Sequence, residues 1–352
     1  MVTKSSPAAA GLTERELSDQ PRAWARTIAC VAEQVEQLRP LLAGQAVFTG
    51  CGSSYFLAIA AARVHQQVTG RPATAIPASE LFLAADSALP SGQRGPLVAF
   101  SRSGDTTETL RAAAYYRDRG LGPVIGVTAN AESPLARDTS AAIVLPWADD
   151  RSIVMTRGFT SMLLASWLAS AHLAGDQAFL TELGRLPGEA VTVLDQARPL
   201  ASGLGRNLGL GRFIYLGLAE QYGLAREAML KMKEMTQVAS EAYSPLEFRH
   251  GPISVVDDST LVVLFSTERG ADYYRALLSD VRRCGGQTLA VGLPVAPDVA
   301  NFTLPLGGEL SDRGRGLLAM LFMQLLALER ALALGRNPEQ PQNLTRVVEL
   351  TQ

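Results

Sequence analysis

The chain has 352 residues, of which 47% are apolar and 19% charged, with a formal net charge of −2. This is enough chain for two domains with separate cores, and the composition excludes an intrinsically disordered protein. The near-neutral balance is a poor match for a nucleic-acid binder, which normally shows a basic face or tail.

Taken in chain order, "MVTKSSPAAAGLTERELSDQP" reads as a polar arm leading into a helix, without the apolar core of a secretory signal. "QAVFTGCGSSYFLAIAAARV" (Gln45 to Val64) then has the form strand, tight glycine turn, helix. "GPLVAFSRSGDTTETLRAA" (Gly95 to Ala113) runs from a strand through a loop crowded with Ser101, Ser103, Thr106 and Thr107 into a second helix. "GPVIGVTAN" supplies another strand, and "FTSMLLASWLASAHLAG" closes the series on an apolar helix. After the glycine- and proline-containing "GRLPGEAVTVLDQARPLASGLG", read as the join, the same succession returns about 167 positions on. Its members are "GRFIYLGLAEQYGLAREAML", "STLVVLFSTERGADYYRAL", "GQTLAVGLP" and the helix from Gly316 to Gly335.

Strands of continuous Val, Ile, Leu and Phe alternating with amphipathic helices belong to parallel sheets covered on both faces. The expected fold is α/β, with two tandem doubly wound parallel-sheet domains. They are placed at 31–190 and 191–337, after an arm and helix at 1–30 and before a tail at 338–352. The run Gly316 to Gly335 is broken by Gln324, Glu329 and Arg330, short of the ~20 apolar residues a membrane span needs. A buried helix is expected there, and no membrane. Cys30, Cys51 and Cys284 lie far apart with no CxxC, so neither a disulfide framework nor a zinc site is indicated, and a reducing cytoplasm is the expected setting. No metal or organic cofactor is implied.

Ligands of such sheets sit at the carboxyl ends of strands, which puts "GCGSS" and "SRSGDT" at one rim. A helix N-terminus offers unpaired N–H groups and a partial positive charge, and hydroxyls there add donors, making an anion cradle that needs no lysine. Glycines 50, 52 and 104 allow close approach or positive φ. There is no P-loop, and Tyr55 occupies the third glycine position of a dinucleotide fingerprint. Simple helix capping explains one such loop well. It explains two adjacent loops less well, since the second half has Leu218, Ala219 and Glu220 at the equivalent turn.

In "EAMLKMKE", Glu227, Lys231 and Glu234 fall at i, i+4 and i+7 on one helix face. Alone, such a stripe is more often a solvated row of ion pairs. Its position after a strand-end turn, and the interleaved Ala228, Met229, Leu230 and Met232, favour a functional row. His65 and His172 lie in helical runs, whereas His250 sits in the turn "EFRHGP", where binding residues concentrate.

"GCGSS", "SRSGDTTET" and "AREAMLKMKEMTQVASEAYSPLEFRHGP" resemble the sugar isomerase (SIS) family over nearly the whole chain. The likeness is to the isomerase half of glutamine–fructose-6-phosphate amidotransferase and to SIS-type glucosamine-6-phosphate deaminases. The resemblance implies a flavodoxin-like SIS fold and a hexose 6-phosphate or amino-sugar phosphate as substrate. Its phosphate would be held by Ser53, Ser54, Ser101, Ser103 and Thr106, with Gly52 beside it and Arg102 where glutamine is common. Glu234 becomes the enolisation base, and His250 opens the sugar ring with Glu227 oriented against it. Lys231 contacts the sugar or the developing enediol oxygen. The resemblance further implies a homodimer in which the His250 loop completes the neighbouring subunit's site. No cysteine follows Met1, so glutamine hydrolysis is not expected.

Two departures bear on the substrate. Arg346 stands where the amidotransferases carry a Schiff-base lysine, and arginine cannot serve as an amine nucleophile. In "DDRSIVMTRGFTSM", Met155 replaces a common serine and Arg157 a lysine, on what the resemblance makes the sugar-facing side. The leading expectation is an isomerising deaminase of an amino-hexose 6-phosphate, such as glucosamine 6-phosphate giving fructose 6-phosphate and ammonia. The alternatives are a fructosamine-6-phosphate-type deglycase, or a phosphosugar sensor with no use for Glu234 and His250.

Overall fold

The computed structural model describes residues 11–346. The chain divides into two compact units, neither a single stretch of sequence. Gln20–Asp149 and Arg157–Pro187 form one, together with 345–346, while 11–19, Asp150–Thr156 and Gly188–Leu344 form the other.

Two helices lead in, α1 (Gly11–Ser18) and α2 (Gln20–Leu38). The first sheet then follows from its sequence: β1 (Ala46–Gly50), β3 (Leu97–Phe100) and β4 (Val124–Thr128) are apolar runs buried along their whole length. Burial on both faces is what a parallel sheet between helices requires. With β2 (Ala73–Pro77) and β5 (Ala141–Val144), the strand order is β2-β1-β3-β4-β5, all parallel. This is the flavodoxin-like order, whose switch point lies between β1 and β3. The connecting helices include α3 (Ser53–Thr69), the single turns α4 (Glu80–Leu83) and α5 (Ala85–Ala88), α6 (Thr107–Asp118) and α7 (Pro134–Arg137). α8 (Arg157–Ala174) is buried along nearly all its length and packs on α2 and α3.

The expected join is a helix. α9 (Gln177–Arg206) runs unbroken through Pro187 and Pro199, and the division between the units falls at Pro187 and Gly188. Its buried Leu183, Leu186, Ala190, Val193, Leu194, Ala197, Ala201 and Leu204 follow the i, i+3, i+4, i+7 pattern of one helix face, which outweighs the breakers. Arg330, 3% exposed, closes its carboxyl end by donating to the carbonyls of Asn207 at 2.8 Å and Gly205 at 3.4 Å.

The second sheet repeats the first. β6 (Arg212–Leu216), β7 (Ala239–Tyr243), β8 (Thr260–Ser266), β9 (Gln287–Gly292) and β10 (Phe302–Pro305) are parallel in the order β10-β9-β8-β6-β7. They are joined by α10 (Glu220–Thr236) and α11 (Ala271–Arg283) and closed by α12 (Asp312–Ala333). α12 is long and apolar enough to cross a membrane, but 83% of its apolar window is buried inside the protein, as expected of a core helix packed on α10.

α1 belongs with this second unit for a physical reason. Glu16, 2% exposed, accepts from the Arg151 backbone N–H at 2.5 Å and from the N–H and hydroxyl of Ser152. A buried carboxylate is tolerated only with such donors. Arg151 and Ser152 supply them, so 150–156 is tied to α1 and not to the sheet that precedes it in sequence.

Candidate active site

In the first unit both hydroxyl loops leave neighbouring strands at the switch point. Gly50 lies so close to the following helix that a Cβ there would fall 2.7 Å from Ser54. Gly52 turns the chain at φ 55°. Ser53 and Ser54 then open α3, 7% and 5% exposed. Past β3, Ser101 Oγ accepts from Gly104 N–H and meets Thr106 Oγ1, each at 3.0 Å. Ser103 Oγ accepts from Asp105 N–H at 3.2 Å. Gly104 takes φ 73°, and a Cβ there would strike Ser133. The Arg102 carbonyl is held by the Thr128 hydroxyl at 3.1 Å and Ala129 N–H at 3.0 Å. Thr106 stands at the N-cap of α6 without capping it: its hydroxyl bonds Ser101 instead. Helix capping is therefore not what this threonine does.

Cys51 shares the first loop but is no nucleophile. Burial, partly offset by a contact to Thr109 and aided by Glu108, raises its thiol pKa to about 11.

In the second unit, Glu227 and Lys231 are both 0% exposed and the Glu234 side chain 19%. The row on α10 is therefore not a solvated face. Lys231 Nζ lies 3.4 Å from Glu227 Oε1 and bonds Glu234 Oε2 directly. Burial pulls the lysine toward its neutral form, but the carboxylates of Glu227 and Glu234 overcome it and leave its pKa above the usual value. The result is a fixed ammonium between two carboxylates, of which Glu234 alone retains access to solvent.

His250 is placed differently. It follows the 3₁₀ turn Glu247–Arg249, anchored by buried Phe248 and by Arg249, which pairs with Asp280 at 2.6 Å. Its imidazole is exposed and makes no hydrogen bond among the described residues, so one chain does not bring it to Glu227. Met155 is 9% exposed. Its segment is pinned by Glu16, by Asp150 on Thr156 at 2.8 and 2.9 Å, and by the Gln324 amide on the Thr156 carbonyl at 3.2 Å.

Asp149, which sequence reasoning passed over, gathers two of the arginines. Its carboxylate pairs with Arg346 at 2.6 Å, and its carbonyl accepts from Arg157 at 2.6 Å. Arg346 is thus engaged as a cation on a carboxylate. Glu16 was likewise missed, since its partners lie about 135 residues away.

Residues 42–171 and 211–295 match the SIS domain family. Over 362 residues the chain is 29% identical to the isomerizing glutamine–fructose-6-phosphate aminotransferase of Caulobacter vibrioides, covering 95% of this chain and 58% of that protein. It therefore spans little more than half the length of that relative. It is 29% identical over 380 residues to the D-galactosamine-6-phosphate deaminase AgaS of Escherichia coli, covering 99% of this chain and 98% of that one. The crystal structure of glucosamine-6-phosphate deaminase from Thermotoga maritima superposes with a TM-score of 0.82 at 28% identity, covering 97% of this chain and all of that one. With the family matched in both units and the duplicated sheet in place, the chain belongs to the SIS domain family.

Proposed function

We propose that the chain is an isomerising deaminase of an amino-hexose 6-phosphate, converting the 2-amino aldose to the ketose phosphate with release of ammonia. The coarser reading, a sugar-phosphate enzyme of the isomerase and deaminase kind, rests on the SIS membership and on the deaminases it resembles along their full length. The observation that carries the finer one is the buried Glu227–Lys231–Glu234 row with Glu234 reachable. A phosphosugar sensor has no use for a lysine buried between two carboxylates, which is costly to maintain.

In this reading the hydroxyls and backbone N–H groups of Ser53, Ser54, Ser101, Ser103 and Thr106 hold the phosphate, and Arg102 adds charge. Glu234 takes the proton from C2 of the open-chain amino aldose and returns it to C1. This leaves an imine at C2, which water hydrolyses to the ketose and ammonia. Lys231, fully buried, holds Glu234 in place through their direct bond and sets a positive charge behind it that favours the oxyanion growing on O1. No amine nucleophile is needed in this direction, which suits Arg346 on its carboxylate. Ring opening falls to His250 supplied by a second copy of the chain. Its exposed, unpartnered imidazole between Leu246 and Val255, 41% and 37% exposed, supports that assignment.

The test is ammonia release from glucosamine 6-phosphate and galactosamine 6-phosphate, each beside the unphosphorylated amino sugar. Turnover of a phosphorylated sugar alone, lowered at least ~100-fold in the Ser101→Ala/Ser103→Ala variant, is expected. Equal turnover of the unphosphorylated sugars would refute the phosphate seat.

A further inference from the structure

The second unit holds, at the place of the phosphate loops, residues of opposite chemistry. The correspondence follows from backbone geometry. A Cβ at Gly50 would meet the Ser54 carbonyl oxygen at 2.8 Å, and one at Gly217 the Gln221 carbonyl oxygen at 2.1 Å, so the two strand-to-helix turns match. Ser53 and Ser54 thus correspond to Glu220 and Gln221. Val47 is paired with Leu97, and its counterpart Ile214 with Val262. Ser101, Arg102 and Ser103 therefore correspond to Ser266, Thr267 and Glu268.

There the hydroxyls are turned to internal uses. Ser266 Oγ donates to the Leu293 carbonyl at 2.8 Å, and Thr267 Oγ1 bonds the Tyr274 hydroxyl at 2.5 Å. The Glu268 backbone N–H, equivalent to that of Ser103, is directed at a carboxylate of the chain itself. It lies 3.0 and 3.1 Å from the two oxygens of Asp312, at the start of α12. Arg315, 3% exposed, reaches Asp312 Oδ1 at 3.3 Å and Glu268 Oε1 at 2.6 Å. The Gln221 amide donates to the Asp312 carbonyl at 2.6 Å. Arg315 Nε and Gln221 Oε1 are buried and have no hydrogen-bond partner among the described residues. A backbone donor and a buried guanidinium with an unused Nε–H make an anion site, and a carboxylate of the protein fills it.

We propose that Asp312 is an internal anion closing the second unit's counterpart of the phosphate seat. Each chain accordingly takes one phosphomonoester, and removing this carboxylate opens a second site for a phosphate dianion on Glu268 N–H and Arg315. Glu268, whose side chain is 68% exposed, is free to swing into solvent when phosphate enters. The inference rests on the reading of the Ser101–Thr106 loop as a phosphate seat.

The experiment is calorimetric titration of the whole protein with inorganic phosphate. Wild type is expected to bind one phosphate per chain, and Ser103→Glu, which copies the second unit's residue into the first seat, none. Asp312→Ala should bind two, and Asp312→Ala on the Ser103→Glu background one. Asp312→Ser, which keeps a polar residue at the start of α12, is titrated in parallel in case the alanine variant folds poorly. If both Asp312 variants stay at one phosphate while wild type binds one, the internal-anion proposal is overturned and the phosphate seat stands. If wild type binds none, it is the seat that fails.

Discussion

Gly52 and Ala219 hold the same backbone conformation, φ 55° and ψ −125° at the first and φ 54° and ψ −119° at the second. Each is the residue before a helix that follows the first strand of its sheet. The glycine adopts this region without cost, whereas the alanine carries a Cβ into it. Strain of this kind persists only where surrounding structure enforces it. Ala219→Gly should therefore stabilise the protein by about 1 kcal/mol, and Gly52→Ala should destabilise it by about 1–3 kcal/mol. Urea unfolding midpoints of the two variants check the opposite signs.

Lys231 should be indispensable to folding as well as to chemistry. Lys231→Met leaves Glu227 and Glu234 facing each other without their cation, and a loss of about 3–5 kcal/mol is expected. The folded-state pKa of Lys231 is raised above the ordinary 10.5. Its contribution is therefore complete below that value and is lost as pH rises through the higher one. Thermal unfolding followed into alkaline solution should show this loss in wild type and not in Lys231→Met.

His65 governs an acid limb instead. The Ser170 hydroxyl donates to the Ser166 carbonyl at 2.9 Å, so His65 Nδ1 must be the donor in its 3.0 Å bond to Ser170. The second nitrogen, Nε2, is left buried and without a partner. Burial, with a smaller push from Arg71, lowers the His65 pKa from 6.5 to about 4. A neutral buried imidazole contributes fully above pH 6.5, and that contribution is lost as pH falls from there toward 4. His65→Gln should flatten the fall of melting temperature across this window. An unchanged slope would show that other groups control it.

The thiols should react in order of exposure and ionisation. Cys284 is exposed, whereas Cys51, at a pKa of about 11, has on the order of 100-fold less thiolate near neutrality than an ordinary cysteine. Timed alkylation with iodoacetamide and peptide mapping should find Cys284 modified first. Rapid labelling of Cys51 would contradict a half-buried thiol held neutral.

The duplication was legible because a strand buried on both faces needs continuous apolar residues, and "AVFTG" and "RFIYL" announce themselves at matching places. The hydroxyl loops were legible for a similar reason: few local structures need Ser101, Ser103 and Thr106 together with Gly104. The Glu227–Lys231–Glu234 row was ambiguous, since i, i+4 charges suit solvent equally well, and its burial emerges only when α10 packs among α12, β6 and β7. Glu16 and Asp149 could not be found by local pattern at all. Their partners, Arg151, Ser152 and Arg346, become neighbours only once the chain has folded. The helical join was hidden by Pro187 and Pro199, whose presence in α9 the buried leucines and alanines on either side override.

The most direct measurement is solvent-proton exchange at C1 of fructose 6-phosphate and tagatose 6-phosphate in deuterium oxide containing an ammonium salt, which re-forms the C2 imine, followed by NMR with wild type and Glu234→Gln. Deuterium should enter C1 of one ketose phosphate with wild type. Exchange should fall by ~100-fold or more in Glu234→Gln while phosphate binding is retained. Undiminished exchange in the variant, or no exchange with either ketose in wild type, would contradict the assignment of Glu234 as the base of a phosphosugar isomerising enzyme.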